Sequence, residues 1–232
     1  MKNNNKIADK VLVGITGKTN KDWKEKFKEI EKFKITRTAL FLELFKKKQR
    51  EEIYKALLKS SIKKIPLIHI RNDMSRSELK FLCEKYNNPC LTIHENSFRY
   101  LKKWSGYYQN LFLEMNTDNF VSRRTKLRKI GGFCVDLAHF KVAEEKWSEE
   151  FEYTIRRRKN PKHFDCNHLS GYSYEKNTDV HSVKNKNEFD YVKTLPRFVF
   201  SNVIAIEVYN SIKEQLKFRK YILRILNKKF DK

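Results

Sequence analysis

No run of roughly 18 apolar residues occurs anywhere in the 232-residue sequence, which excludes a membrane-spanning helix. The opening stretch, MKNNNKIADK, is polar and has no apolar signal core, so a cytoplasmic location is expected. Cysteine is scarce, four in all, and Cys83, Cys90, Cys134 and Cys166 show no CxxC spacing. That argues against a disulfide framework or a structural zinc knuckle, and for buried thiols in a reducing compartment. No low-complexity linker interrupts the chain, so residues 1–232 are expected to form one domain, with 1–9 as a flexible N-terminal tail.

Acid is also in short supply: 28 Asp and Glu stand against 51 Lys and Arg, a formal net charge of +23. Such a field draws polyanions, either nucleic acid or phosphorylated small molecules. The cations are spread over the whole sequence and mark no single groove. Hydrophobic content of 40% and aromatic content of 13% argue against disorder.

What the sequence does have is alternation. VLVGIT (11–16) leads into a helical pattern carrying Trp23, Phe27, Ile30 and Phe33. TALFLELF (38–45) precedes one with Ile53, Leu57 and Leu58. KIPLIHI (64–70) precedes SRSELKFLCEKY, in which Ser75 and Glu78 have capping-box spacing. PCLTIH (89–94) leads to a helix with Leu101 and Trp104, and NLFLEM (110–115) to a weaker one around 120–130. GFCVDLA (132–138) precedes a helix bearing Ala143, Trp147, Phe151 and Ile155. HFDCNHL (163–169) is followed by a polar loop, 170–187, and a helix with Phe189, Val192 and Leu195. NVIAIEV (202–208) and a closing helix end the series. Eight apolar strands, each followed by a helix, predict a parallel sheet closed into a single (β/α)8 TIM barrel, with a doubly wound sheet as the alternative.

In such barrels function sits at the carboxyl ends of the strands. His69, His94, Glu114, Asp136, His139, His168 and Glu207 all fall there, and Asp179 and His181 lie in the loop after HFDCNHL. His163, the remaining histidine, begins its strand at the opposite end and acts as an internal control. Imidazoles and carboxylates converging from separate strands suit a borderline divalent cation, Zn²⁺, or Mn²⁺ where carboxylates dominate. Arg71, Arg99 and Lys184 are candidate phosphate-binding cations near strand ends.

These residues resemble the xylose isomerase-like barrels, and in ligand pattern endonuclease IV, the abasic-site nuclease family (AP endonuclease family 2). The resemblance runs through His69 in LIHIRND, His94 in TIHENS, Glu114 in LEMN and Asp136-x-x-His139. It continues through His168 in NHLSG, Asp179-x-His181 and Glu207 in IEVYN. The chain departs from that family at His94-Glu95-Asn96, where His-Pro-Gly is usual, and at Ser170-Gly171, where Asn-Asp is usual. The resemblance implies up to three zinc ions: one on His69, His94 and Glu114, a second on Glu114, Asp136, His168 and Glu207, a third on His139, Asp179 and His181. It implies phosphodiester hydrolysis at abasic sites in DNA. The one-metal sugar isomerases and epimerases of the same superfamily use only the middle set. They imply the alternative: a sugar or sugar-phosphate substrate, with Glu114 and Glu207 exchanging a proton. A non-catalytic barrel binding metal or polyanions is the third reading.

Overall fold

The computed structural model describes residues 7–160 and 163–231. The VLVGIT run splits at Val13 into β1 (Val11–Leu12) and β2 (Gly14–Ile15). Helix α1 (Asn20–Lys32), strand β3 (Ala39–Phe41), helix α2 (Lys47–Lys59), strand β4 (Leu67–His69) and helix α3 (Arg76–Lys85) follow. Strands β5 (Cys90–His94), β6 (Leu111–Glu114) and β7 (Gly132–Asp136) come next, then α4 (Leu137–Lys146) and α5 (Glu149–Ile155). The chain ends with β8 (Phe164–Leu169), a hairpin of β9 (Gly171–Ser173) and β10 (Thr178–Val180), β11 (Val203–Ile206) and α6 (Ile212–Phe230).

The sheet holds nine parallel strands in the order β1-β11-β8-β7-β6-β5-β4-β3-β2. Its two ends belong to one run of chain: Val11 pairs with Ile204 of β11, and Gly14 pairs with Ala39 of β3. That shared run curls the sheet into the nearly closed barrel expected from the sequence. Gly14 is needed at the seam, because a Cβ there would lie 2.2 Å from the Ile206 carbonyl oxygen and 2.7 Å from the Phe41 ring. No helix among the described residues is long and apolar enough to cross a membrane.

Local chemistry accounts for most helices. Thr19, Ser75 and Ser211 each form a reciprocal capping box; in the second, Ser75 Oγ accepts from the Glu78 N–H at 3.2 Å and Glu78 accepts from the Ser75 N–H at 3.0 Å. Trp23, Phe27 and Ile30 bury one face of α1, and Ile53 and Leu57 one face of α2. Leu58, by contrast, is 56% exposed. The buried Arg50 binds α2 to α3, donating to Glu78 at 2.8 Å, the Phe45 carbonyl at 2.8 Å and Asp73 at 3.0 Å. Arg50→Ala strands those acceptors and is expected to cost about 3 kcal/mol, read as a lower urea midpoint with unchanged slope.

Five elements differ from the sequence expectation, the first being the helix expected through Phe189, Val192 and Leu195, which is a 3-10 helix over Lys186–Lys193. The helix around 120–130 reduces to a 3-10 turn, Leu127–Lys129. Carboxylates from elsewhere take up the backbone N–H groups of that segment: Glu150 accepts from Asn119 and Phe120, Glu149 from Val121, and Glu95 from Asn116 and Ser122. Residues 95–104 likewise form a 3-10 helix. The single helix expected through Trp147 is two, because Trp147 turns left-handed (φ 51°) to end α4 and Ser148 caps α5. The polar loop 170–187 contains the β9–β10 hairpin, with Tyr172 opposite Asp179 and Asn177 left-handed in its turn.

Of the expected N-terminal tail, residues 1–6 lie outside the described residues. Ile7 packs on the core, and Arg219 and Arg37 donate to the carbonyls of Ala8 and Asp9, so residues 7–9 are tied to the barrel rather than loose.

Candidate metal centre

The pleat of the strands builds this site. Side chains two residues apart on a strand share a face. Phe41, Leu67, Phe112, Cys134, Cys166 and Ala205 fill a buried layer inside the barrel. Two residues further along the chain stand Glu43, His69, Glu114, Asp136, His168 and Glu207. The apolar inner layer is therefore the floor on which the polar set rests. Phe41 lies edge-on beneath two imidazoles, its centroid 5.1 Å from His168 and 6.4 Å from His69. The four cysteines are free thiols; Cys83, Cys134 and Cys166 are buried, Cys90 half-buried.

His168 is the hub. Its Nδ1 lies 3.0 Å from Glu114 Oε2 and 3.1 Å from Glu207 Oε2. His69 Nδ1 lies 3.6 Å from Glu114 Oε2, and its ring centroid is 4.8 Å from His94 and 5.0 Å from His168. Donor atoms of Glu114, Asp136, His168 and Glu207 fall within 4.8 Å of one another, as do those of His69, His94 and Glu114, and those of His69, His168 and Glu207. Glu114 belongs to two of these groups.

His139, Asp179 and His181 reach the same rim but pair among themselves. His181 Nε2 is 2.9 Å from Asp179 Oδ2, His139 Nε2 is 3.9 Å from the same oxygen, and His181 Nδ1 faces the Glu207 carbonyl at 2.9 Å. His139 Nδ1 stands 3.4 Å from Glu114 Oε1. The hydrogen bond from His181 holds Asp179 down at about 2. Burial would lower His181, but Asp179 and the neighbouring carboxylates outweigh it and hold the ring up at about 10.

Burial and crowding set the rest of the electrostatics. Burial, with Glu207 close by, pushes the Glu43 carboxyl up to about 8 and also raises Asp136. Burial pushes His69 down to about 3. It would raise Glu114, yet His168, His94 and His69 together hold that carboxyl well below the usual carboxylate range.

The donor set fits a divalent cation on two observations. Of the 17 buried side-chain nitrogen and oxygen atoms without a well-formed hydrogen bond among the described residues, nine are here: Glu43 Oε2, both nitrogens of His69 and His168, His94 Nδ1, Glu114 Oε2, Asp136 Oδ2 and His139 Nδ1; of these, His168 Nδ1 and Glu114 Oε2 face each other only as an ion pair, at 3.0 Å. Unsatisfied donors and acceptors buried at this density are costly unless something else binds them. The carboxylates also repel one another, a cost that a bound cation removes.

Glu43 is the site residue that motif reading passed over. Its Oε2 lies 3.5 Å from His69 Nδ1. The signal was present, since TALFLELF also runs apolar and then reaches a Glu at the strand end.

The expected phosphate-binding cations are not gathered here. Arg71 spends its guanidinium on the Glu43 carbonyl (3.1 Å) and on Asp73 (3.3 Å). Arg99 is exposed beside Tyr100 and Lys184 is exposed on its loop; among the described residues neither side chain pairs with the cluster. His163 lies apart from the rim, with Nε2 3.1 Å from Asn160 Nδ2.

No family model matches the sequence, and no curated protein sequence matches it either. Among solved structures, the chain is similar to one described as a D-tagatose 3-epimerase-like protein, with a TM-score of 0.56 and 11% sequence identity. The match covers 95% of this chain and 98% of that one, so the likeness of fold extends around the whole barrel.

Proposed function

We propose that this barrel is a metal-dependent sugar isomerase or epimerase, with one divalent cation, Mn²⁺ or Zn²⁺, on Glu114, Asp136, His168 and Glu207. The observation that carries this reading is the convergence of those four buried donors on one point over an apolar floor. The similar solved structure is described as epimerase-like, which supports the sugar reading over abasic-site hydrolysis.

The bound cation would supply Lewis-acid polarisation of a carbonyl and its adjacent hydroxyl. The chain supplies the proton chemistry. Glu114 and Glu207 approach His168 Nδ1 from different strands, β6 and the end of β11. One carboxylate takes the proton from the carbon next to the carbonyl, and the other returns a proton from the opposite side. His168 orients both. The Phe41 floor keeps water from beneath the reacting carbon.

The discriminating test combines metal analysis with proton exchange in D₂O. Purified protein should hold about one transition-metal ion per chain at the four-donor set. A panel of free and phosphorylated ketoses should then include one that takes up solvent deuterium at the carbon beside its carbonyl, as NMR would show. Metal-loaded protein that exchanges no sugar proton in that panel would sink the reading.

A second reading is favoured by one specific observation, the adjoining group His69, His94 and Glu114. Two cations sharing Glu114 would suit phosphodiester hydrolysis. More than one zinc per chain, with nicking of an abasic-site duplex, would mark that outcome.

A further inference from the structure

Between β6 and β7 the barrel carries no α-helix on its outer surface, and the space left there is a large groove. It measures about 1100 Å³ and is lined by the segment 121–128, by one side of α5 with the two residues after it, and by His163. Arg123, Lys126, Arg128, Arg156 and Arg157 face it. Its two carboxylates are already engaged: Glu152 pairs with Arg156 at 2.6 Å, and Glu149 accepts from the Val121 N–H at 3.1 Å. Arg123, Lys126 and Arg128 are exposed, and none forms an ion pair among the described residues. His163 Nδ1 is buried there without a hydrogen bond. Residues 127–128 precede β7 and His163 precedes β8, so the groove lies towards the amino ends of strands whose carboxyl ends carry the metal centre, roughly 17 Å away for five residues of strand.

We propose that this groove binds single-stranded nucleic acid. Unpaired cations in a row suit a phosphate backbone, which releases counterions as it binds. Arg157 Cζ lies 3.4 Å from the Tyr153 ring centroid and its Nη1 donates to the Tyr153 carbonyl at 2.6 Å, which holds a planar cation and an aromatic ring together at the groove, the two kinds of group on which an unpaired base stacks. An acidic peptide uses the charges but has no base for that platform. The site is independent of the reaction proposed at the barrel mouth.

The test is fluorescence anisotropy of the full chain with a labelled single-stranded oligonucleotide of about 12 nucleotides, within the site sizes usual for such grooves. The triple variant Arg123→Glu, Lys126→Glu, Arg128→Glu should bind at least about tenfold more weakly, and the log–log salt slope should fall by about two. A control triple, Lys55→Glu, Lys213→Glu, Lys220→Glu, changes net charge equally on exposed faces of α2 and α6. It should stay within about threefold of the parent, as diffuse charge contributes little at a distance beyond screening. All these positions are exposed, so circular dichroism should show unchanged folds. Absence of binding by the parent at low salt, equal weakening by both triples, or equal competition by poly-glutamate would each overturn the proposal. Sugar proton exchange is expected to survive the groove triple, which keeps this result separate from the fate of the reaction.

Discussion

Glu114→Gln should lower sugar proton exchange by at least about 10³-fold, the scale of a lost general base compounded with a weakened cation site. Glu114 stands at the junction of everything in the centre: Oε2 faces His168 and His69, and Oε1 faces His139. Glutamine keeps the volume and one oxygen but replaces a negative acceptor with an NH₂ group that takes no proton and binds no cation. Two readouts should move together, turnover and bound metal per chain. The comparison is Glu43→Gln, since Glu43 lies outside the compact donor groups although it touches His69; exchange should fall by no more than about tenfold, as for a residue that positions rather than transfers a proton. Full metal occupancy together with near-parental turnover in Glu114→Gln would remove this residue from the chemistry.

Why these positions could be read from sequence while others could not follows from strand geometry. A strand buried on both faces reads as an apolar run, and the first polar residue past it stands at the rim in phase with the layer below. His69, Glu114 and Asp136 obey that rule, each two residues beyond Leu67, Phe112 or Cys134; His168 keeps the same phase, two beyond Cys166, but follows the polar Asp165 and Asn167 in its strand. Glu43 obeys it too, two beyond Phe41, but it is embedded in TALFLELF, where Leu44 and Phe45 extend the apolar run and hide the strand end. Leu44 is in fact 43% exposed, already past the sheet.

The misread segments share another cause. Residues 120–130 have some helical spacing, but Glu95, Glu149 and Glu150 capture their N–H groups from distant parts of the chain. Side-chain acceptors that fold in from more than 25 residues away leave no periodic trace. Trp147 fell in phase with a continuous helix, yet Ser148 after it was an available cap, and the cap prevailed. The hairpin that brings Asp179 and His181 to the rim is held by Tyr172 Oη donating to Asn177 at 2.7 Å, again a contact that polar composition alone does not announce.

Adding a divalent cation to protein stripped with a chelator should raise its melting temperature by about 5–10 °C. A ligand that binds only the folded state at about one hundred times its Kd contributes about 2.7 kcal/mol, and in a chain of this length each kcal/mol moves Tm by about 2–4 °C. The gain has a structural source in the atoms of His69 and Asp136 that make no hydrogen bond and in the crowded carboxylates of Glu114, Asp136 and Glu207. Asp136→Asn isolates it. Asp136 Oδ1 caps α4, accepting from Ala138 at 2.8 Å and His139 at 2.9 Å, while Oδ2 makes no hydrogen bond and Asp136 belongs to the donor group. Asparagine retains the cap and removes one of the crowded negative charges, so the stripped variant should melt no lower than the stripped parent. Its cation-induced rise should shrink to a few degrees at most, because the site has lost a charged donor. A parent whose melting is indifferent to chelator and cation, or a variant that gains as much from the cation as the parent, would show that these side chains are held together by something other than a shared metal.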